Sequence, residues 1–219
     1  QTIRTEDAEK LHAMSLRPFS QYLAFDNDAP CWYINTYTDE AADHLINPLI
    51  KSDHLHCRHK GYDIGLSEFK ILREESYKDL EKRCWDKGSN TKSIQIEFKT
   101  STSIKSHNTY VIYPTPELIF TGLINKWNNF SDSSILEEDN LAANLAQACS
   151  INNYSLRMRQ FSLESTWVDA FIGRLSIGRF RNSTAKSMVT MLLDYSQYTG
   201  IGIKTALGMG GVSITVKQM

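Results

Sequence analysis

The segment Gly200-Ile201-Gly202-Ile203-Lys204-Thr205-Ala206-Leu207-Gly208-Met209-Gly210-Gly211 constrains the fold more than any other stretch, because five of its twelve residues are glycine. Glycine loses more backbone entropy on folding than any other residue. Such a density therefore marks a place where the chain needs positive φ angles or a close approach of main-chain N–H groups to another atom. Ahead of it, Ala185, Met188, Val189 and Leu192 recur at helical spacing, and behind it Val212 to Val216 reads as a strand. The loop thus runs from helix into strand. That direction excludes a dinucleotide fingerprint, whose glycines lead from a strand into a helix N-terminus that holds the phosphate. A Walker loop is excluded too, since no Gly-Lys-Ser or Gly-Lys-Thr sequence occurs. Two readings remain: a tight turn of small-residue packing, or a cradle of backbone amides for a phosphate with Lys204 adding charge.

Charge favours an anion at this end of the chain. The 219 residues carry 24 basic and 25 acidic side chains, a formal −1. From Ile151 onward, however, Arg157, Arg159, Arg174, Arg179, Arg181, Lys186, Lys204 and Lys217 face only Glu164, Asp169 and Asp194, a local +5 that leaves −6 on the first 150 residues. Five of those eight cations are arginines, whose planar fork suits phosphate. The alternative for each is a solvated surface charge. Cys31, Cys57, Cys84 and Cys149 show no paired short spacing, so neither a disulfide framework nor a zinc knuckle is implied. No apolar run approaches the ~18 residues of a membrane helix, and no signal-peptide pattern opens the chain. The expected protein is soluble and cytoplasmic, with reduced thiols and no membrane partner.

The apolar periodicity points to an α+β protein in two units. Thr5 to Ala13 reads as the end of a helix, stopped by Pro18. Phe19 to Phe25 and Cys31 to Thr38 read as a hairpin around Asp26-Asn27-Asp28-Ala29-Pro30, followed by a helix from Asp39 and extended chain over Leu55 to Cys57 and Tyr62 to Leu72. This order is a β-α-β-β-α-β ferredoxin-like repeat without its first strand, so the sequence as given is expected to lack its native beginning. Ser76 to Asp86 predicts a charged connecting helix, which sets the units at 1–87 and 88–219. In the second, Ser93 to Lys99 alternates as a strand and Ser101 to Asn108 reads as a polar loop. Pro116 opens a helix, Leu136 to Ala148 gives another, and Tyr154 to Leu163 with Val168 to Phe180 forms a long hairpin. Ser183 or Thr184 then caps a helix. This half too can be written as a ferredoxin-like, or RRM-like, unit with helical insertions.

The doubled Gly-hydrophobic-Gly at Gly200-Ile201-Gly202 and Gly208-Met209-Gly210 resembles the C-terminal signature of the CRISPR-associated endoribonucleases that cut precursor CRISPR RNA, the sixth Cas family. Ser93-Ile94-Gln95-Ile96-Glu97-Phe98, and Pro114-Thr115-Pro116-Glu117-Leu118-Ile119-Phe120 leading to Lys126-Trp127-Asn128, are similar to its central text, so the resemblance covers nearly the whole chain. It implies tandem ferredoxin-like folds and a Gly-rich loop that helps hold the RNA backbone. It also implies metal-independent cleavage of a repeat RNA on the 3′ side of its hairpin, and retention as a subunit of an interference complex. The competing reading is an RRM-like subunit that holds CRISPR RNA without cutting it. No RNP1-type aromatic motif is present, which disfavours an ordinary single-strand RRM.

Self-cleavage of RNA through its own 2′-OH needs a base, an acid and a cation, but no metal or other cofactor. The resemblance implies a catalytic His at the end of the first helix, followed by a basic residue and a Phe-containing strand. Leu11-His12, Arg17 and Pro18-Phe19 match it, which makes His12 the general base or acid and Arg17 the electrostatic partner. The RNA-binding candidates are Gly200, Gly202, Lys204, Thr205, Gly208 and Gly210 in the loop, Arg157, Arg159, Arg179 and Arg181 on the late hairpin, and His107 in the polar loop. Arg157 and Arg159 share a face by the two-residue period. His54, His56, Cys57 and His59 look like metal ligands, yet the same alternation sends His54 and His56 to one face and Cys57 and His59 to the other.

Overall fold

Turn chemistry sets the first pair of elements. In the computed structural model, which describes residues 16–57, 60–88, 90–133, 135–163 and 166–219, β1 (Phe19–Asp26) and β2 (Ala29–Thr36) form an antiparallel hairpin. Its two turn residues, Asn27 and Asp28, have φ of 47° and 66°, the left-handed pair that a tight hairpin requires and that Asn and Asp tolerate. Pro30, expected within the turn, lies in the strand opposite Phe25. Thr38, one residue before the expected cap, accepts from the Ala41 N–H at 3.2 Å. The helical stretch α1 that follows joins Asp39–Ala41, a wide π turn at Ala42–Ile46, and Asn47–Ile50. Pro48 has no N–H to donate, and the widened turn just ahead of it, where the Asn47 N–H reaches back to the Ala42 carbonyl, accommodates that loss.

A second hairpin, β3 (His54–Cys57) with β4 (Tyr62–Gly65), is short and mostly exposed. The chain beyond Gly65 is irregular rather than a strand to Leu72. The helix α2 (Tyr77–Gly88) buries Leu80 and Cys84 in the core of the second half. Charge fastens its approach: Arg73 and Arg83 each reach Glu75 (2.7 and 2.9 Å) and Asp194 (2.7 and 2.5 Å), and the Tyr198 hydroxyl donates to Glu75 at 2.6 Å.

The second half is built on β5 (Thr91–Thr102), a small hairpin of β6 (Ile104–Ser106) and β7 (Thr109–Val111), α3 (Pro116–Phe130), α4 (Leu141–Gln147), β8 (Ser150–Leu163), β9 (Thr166–Gly178), α5 (Ser183–Thr199), a 3₁₀ turn (Thr205–Leu207) and β10 (Val212–Gln218). Its antiparallel sheet runs β10-β5-β9-β8. With the small hairpin and α4 set aside, this is a β-α-β-β-α-β unit whose first and third strands are central, the ferredoxin-like arrangement. The β1-β2-α1 run repeats its strand-strand-helix middle.

Alternation decides the two faces of the sheet. Ile94, Ile96 and Phe98 of β5, with Phe171, Leu175 and Ile177 of β9, pack beneath Ile119, Leu123 and Trp127 of α3 and Val189, Leu192 and Leu193 of α5. Trp127 meets Tyr77 and Tyr195 edge to face, at 5.2 and 5.1 Å. The caps follow sequence chemistry: Thr115 precedes Pro116 and accepts from the Leu118 N–H, and Asn182, rather than Ser183 or Thr184, accepts from the Ala185 N–H at 2.7 Å.

Candidate functional site

The Gly-rich loop is fastened to the end of β5, which corrects the expectation of a polar loop at Ser101. Ser101, Thr102 and Ser103 are buried. They offer main-chain acceptors in register: Ser103 O takes the Ile203 N–H at 2.9 Å and Ser101 O takes the Gly210 N–H at 3.0 Å, while the Thr100 hydroxyl takes the Gly211 N–H at 2.9 Å. The two feet of the loop close on each other through the Ile201 N–H and the Gly210 carbonyl, at 2.9 Å.

All four glycines of the doubled motif have positive φ: 66° at Gly200, 88° at Gly202, 101° at Gly208 and 69° at Gly210. The hydrophobic residue inside each pair is a plug. Ile201, 1% exposed, enters the core on the helix side of the sheet, whereas Met209, 0% exposed, packs with Val168 and Ala170, flanked by Phe161 and Ile203. Val168 and Ala170 lie opposite Phe161 and Arg159, on the face away from the helices. The loop therefore clips around the end of the sheet with one plug on each side.

This geometry narrows the expected phosphate cradle. Gly200 and Gly210 are buried and give their N–H groups to Ser196 O and Ser101 O, so they serve as turn formers. The Thr205 side chain is buried as well. Gly202, Lys204 (φ 55°) and Gly208 are the candidates at the surface of the loop.

Strand register sorts the arginines. Arg157 and Arg159 pair with Ile172 and Ala170, on the face carrying Met209, which puts them beside the loop. Arg174 is on that face as well, bonded to Glu97 at 2.9 and 3.2 Å. The Glu97 carboxyl is lowered to about 2, by its hydrogen bond to Lys99 and then by Arg174 against some opposing desolvation. Arg179 and Arg181 follow the far end of β9 and are exposed. At ~3.3 Å per residue, Arg179 is roughly 20 Å along the sheet from the Arg157 position. The four arginine candidates therefore fall into two separate groups. His107 (φ 47°) and Asn108 (φ 62°) form the two-residue tip of the β6-β7 hairpin, where the Ser106 hydroxyl meets His107 Nδ1 at 3.1 Å, roughly 13 Å beyond Ser103.

Strand β1 closes the site from the other half. Ser20 donates to the Tyr198 carbonyl, and Gln21 Nε2 donates to Ala206 O at 2.8 Å. The Tyr22 ring lies so close to Gly211 that a Cβ there would sit 2.5 Å from it. Tyr22 stacks on Tyr33 at 4.8 Å, and burial pushes its hydroxyl up to about 12. Arg17 lies two residues ahead of this strand and is half-buried. Its carbonyl accepts from the Tyr37 hydroxyl at 2.8 Å. His12 and His59 lie outside the described residues. His54 and His56 share the exposed face of β3 and each meets its own carboxylate, Asp53 at 2.6 Å and Asp63 at 2.7 Å, while Cys57 is turned to the other side. Among the described residues, no group of three or more His, Cys, Asp or Glu could hold a metal ion.

Sequence reasoning missed Lys126. Its ammonium is buried and donates to Thr199 O at 2.8 Å and Gly200 O at 3.1 Å. Desolvation lowers it to about 7. The available signal was a lysine in the apolar stripe Ile119, Leu123 and Trp127 of an otherwise regular helix.

The fold and the clipped loop define a tandem ferredoxin-like α+β protein. Residues 96–212 match the family model of the CRISPR-associated endoribonuclease Cas6, and the chain belongs to that family, whose members are RNA-cleaving enzymes. It is 28% identical to a Cas6 endoribonuclease of Streptococcus thermophilus over 209 residues, 95% of this chain and 84% of the relative. It is 26% identical to one of Mycobacterium tuberculosis, over 98% of this chain and 68% of the relative. A Cas6 solved as a product complex superposes with a TM-score of 0.78 at 18% identity, covering 97% of this chain and 88% of that one. Thermus thermophilus Cas6 gives 0.69 at 18% identity, covering 95% and 83%. No helix among the described residues is long and apolar enough to cross a membrane.

Proposed function

We propose that this chain binds the repeat of a CRISPR transcript across the Gly-rich loop and the adjacent open sheet face, and cleaves it without metal. The 2′-OH of the scissile nucleotide loses its proton to a base and attacks the neighbouring phosphorus. The P–O5′ bond breaks, an acid protonates the leaving 5′ oxygen, and the products are a 2′,3′-cyclic phosphate and a 5′-hydroxyl. His12 serves as base or acid, its ordinary pKa of ~6.5 lying near operating pH. Arg17 stabilises the charge that develops on the phosphorane.

The observation that carries this reading is the docking of β1 on the Gly-rich loop. Ser20 donates to the Tyr198 carbonyl and Gln21 Nε2 to Ala206 O at 2.8 Å, so the strand that follows Arg17 is fastened to the Gly-rich loop and to the helix end that leads into it. Arg157 and Arg159 flank the same loop and would track phosphates leading to it. Relatives solved as product and substrate-mimic complexes support cleavage followed by retention of the RNA, as expected of a subunit of an interference complex.

The test incubates cognate repeat RNA with the protein in EDTA, beside His12→Ala, Arg17→Ala and a substrate carrying 2′-deoxyribose at the scissile nucleotide. Cleavage is expected to survive chelation, to fall in both variants, and to vanish on the deoxy substrate while binding is kept. Deoxy RNA cut as fast as all-ribose RNA would overturn the mechanism. Tight binding with no cut by the wild-type protein would make it a holder rather than a nuclease.

A further inference from the structure

A fully buried lysine is rare unless its charge is compensated, and an apolar side chain would suit the Leu123-Lys126-Trp127 stripe of α3 better. What compensates Lys126 is the end of another helix. The last carbonyls of α5 have no partner within the helix, and together they carry the negative end of its dipole. The Gly200 N–H satisfies Ser196 O, while the Lys126 ammonium takes Thr199 O and Gly200 O, at 2.8 and 3.1 Å. These are the peptide units from which the Gly-rich loop departs. Gly200 also abuts Gly210 O at the loop's other foot and the Thr205 side chain of the 3₁₀ turn, so the ammonium fixes the point where both feet meet.

We propose that Lys126 is a positioning residue for the RNA site: it holds the C-terminal end of α5 so that the Gly-rich loop keeps the geometry that presents Gly202, Lys204 and Gly208. The second part of that statement rests on the function proposed above, whereas the first does not need RNA at all. The experiment therefore has two readouts in Lys126→Met, which keeps the length of the side chain and removes its charge and donors. One is amide hydrogen exchange along the RNA-free chain. The other is affinity for an uncleavable repeat RNA with 2′-deoxyribose at the scissile nucleotide.

At pH 6, where the Lys126 ammonium is charged, exchange at Ile201, Ile203, Gly210 and Gly211 is expected to accelerate about ten-fold or more, the factor that a hydrogen bond to a charged group is worth, while Ile94, Ile96 and Leu175 in the central strands keep wild-type protection. RNA affinity is expected to fall by a similar factor. Unchanged loop protection, or uniform acceleration in loop and central strands alike, would overturn the inference. A loosened loop with unaltered RNA affinity would leave the positioning role standing and instead refute the loop as part of the RNA site. Should Lys126→Met fail to fold, Lys126→Gln retains two amide donors and is read in the same two ways.

Discussion

Two glycine substitutions in the Gly-rich loop separate backbone strain from steric fit. Gly202 and Gly208 have φ of 88° and 101°, so alanine at either position is forced into a conformation that costs an L-residue about 1–2 kcal/mol. Both changes also reduce the entropy of the unfolded chain by the same small amount, which cancels in the comparison. Their surroundings differ. A Cβ at Gly208 meets only the tip of the Phe161 ring, 3.9 Å away, whereas a Cβ at Gly202 collides with the main-chain oxygen of Ser103. That oxygen is the acceptor for the Ile203 N–H, and relieving the collision opens the bond in a buried setting, at a further cost of about 1–3 kcal/mol. Gly208→Ala is therefore expected to cost about 1–2 kcal/mol and Gly202→Ala about 2–5 kcal/mol, measured by urea unfolding at constant m-value. Equal losses, or a larger loss at Gly208, would refute the docking of the loop on the end of β5.

Three further outcomes follow from charge. The slope of log affinity against log salt for repeat RNA should fall by about 0.7–0.9 for each of Arg157→Ala and Arg159→Ala, measured by filter binding over a salt series; an unaltered slope would remove them from the phosphate track. Glu97, at about 2 against an ordinary 4.5, contributes stability that is complete above pH 4.5 and is lost as pH falls toward 2. Because Arg174 and Lys99 are partly exposed, Glu97→Gln should cost only about 1 kcal/mol at pH 7 and should flatten that acid limb in a pH series of melts. Lys126 titrates at about 7 in the folded protein against 10.5 in an open chain, so the unfolded state binds more protons between those values and stability rises with pH there. Melting between pH 7.5 and 9.5, below the titration of tyrosines, should show a smaller rise in Lys126→Met than in the wild-type chain.

How much of this was legible depended on where the partner of each residue lay. The β1-β2 hairpin could be read because Asn27 and Asp28 carry their own turn chemistry. The caps were displaced by a residue because cap-competent side chains sit side by side at Thr38-Asp39 and at Asn182-Ser183-Thr184. Alternation put Arg157 and Arg159 on one face correctly, but a two-residue period says nothing about distance along a strand, and the length of β9 removes Arg179 and Arg181 from their company. Ser101 to Ser103 looked like solvated loop because the groups that bury them arrive from the Gly-rich segment about a hundred residues later. Lys126 was hidden for the same reason: the carbonyls it serves belong to another helix.

The glycines themselves turn out to record packing as well as ligand access. A loop that merely offered amides to an anion would need its glycines at the surface, yet Gly200 and Gly210 are inside and Gly211 is overlain by Tyr22 of the opposite half. Each Gly-hydrophobic-Gly unit needs positive φ on both sides of an inward-facing plug, and the plugs are driven to opposite faces of one sheet, Ile201 beneath α5 and Met209 against Val168 and Ala170. The apolar residue between each pair of glycines is what fastens the loop. The glycines let the chain reverse tightly enough to set that residue in place, and only the short stretch between the two plugs is left to face a ligand. A rigid base with a small exposed apex is the form a preorganised anion site takes, because the two plugs order the loop without any ligand.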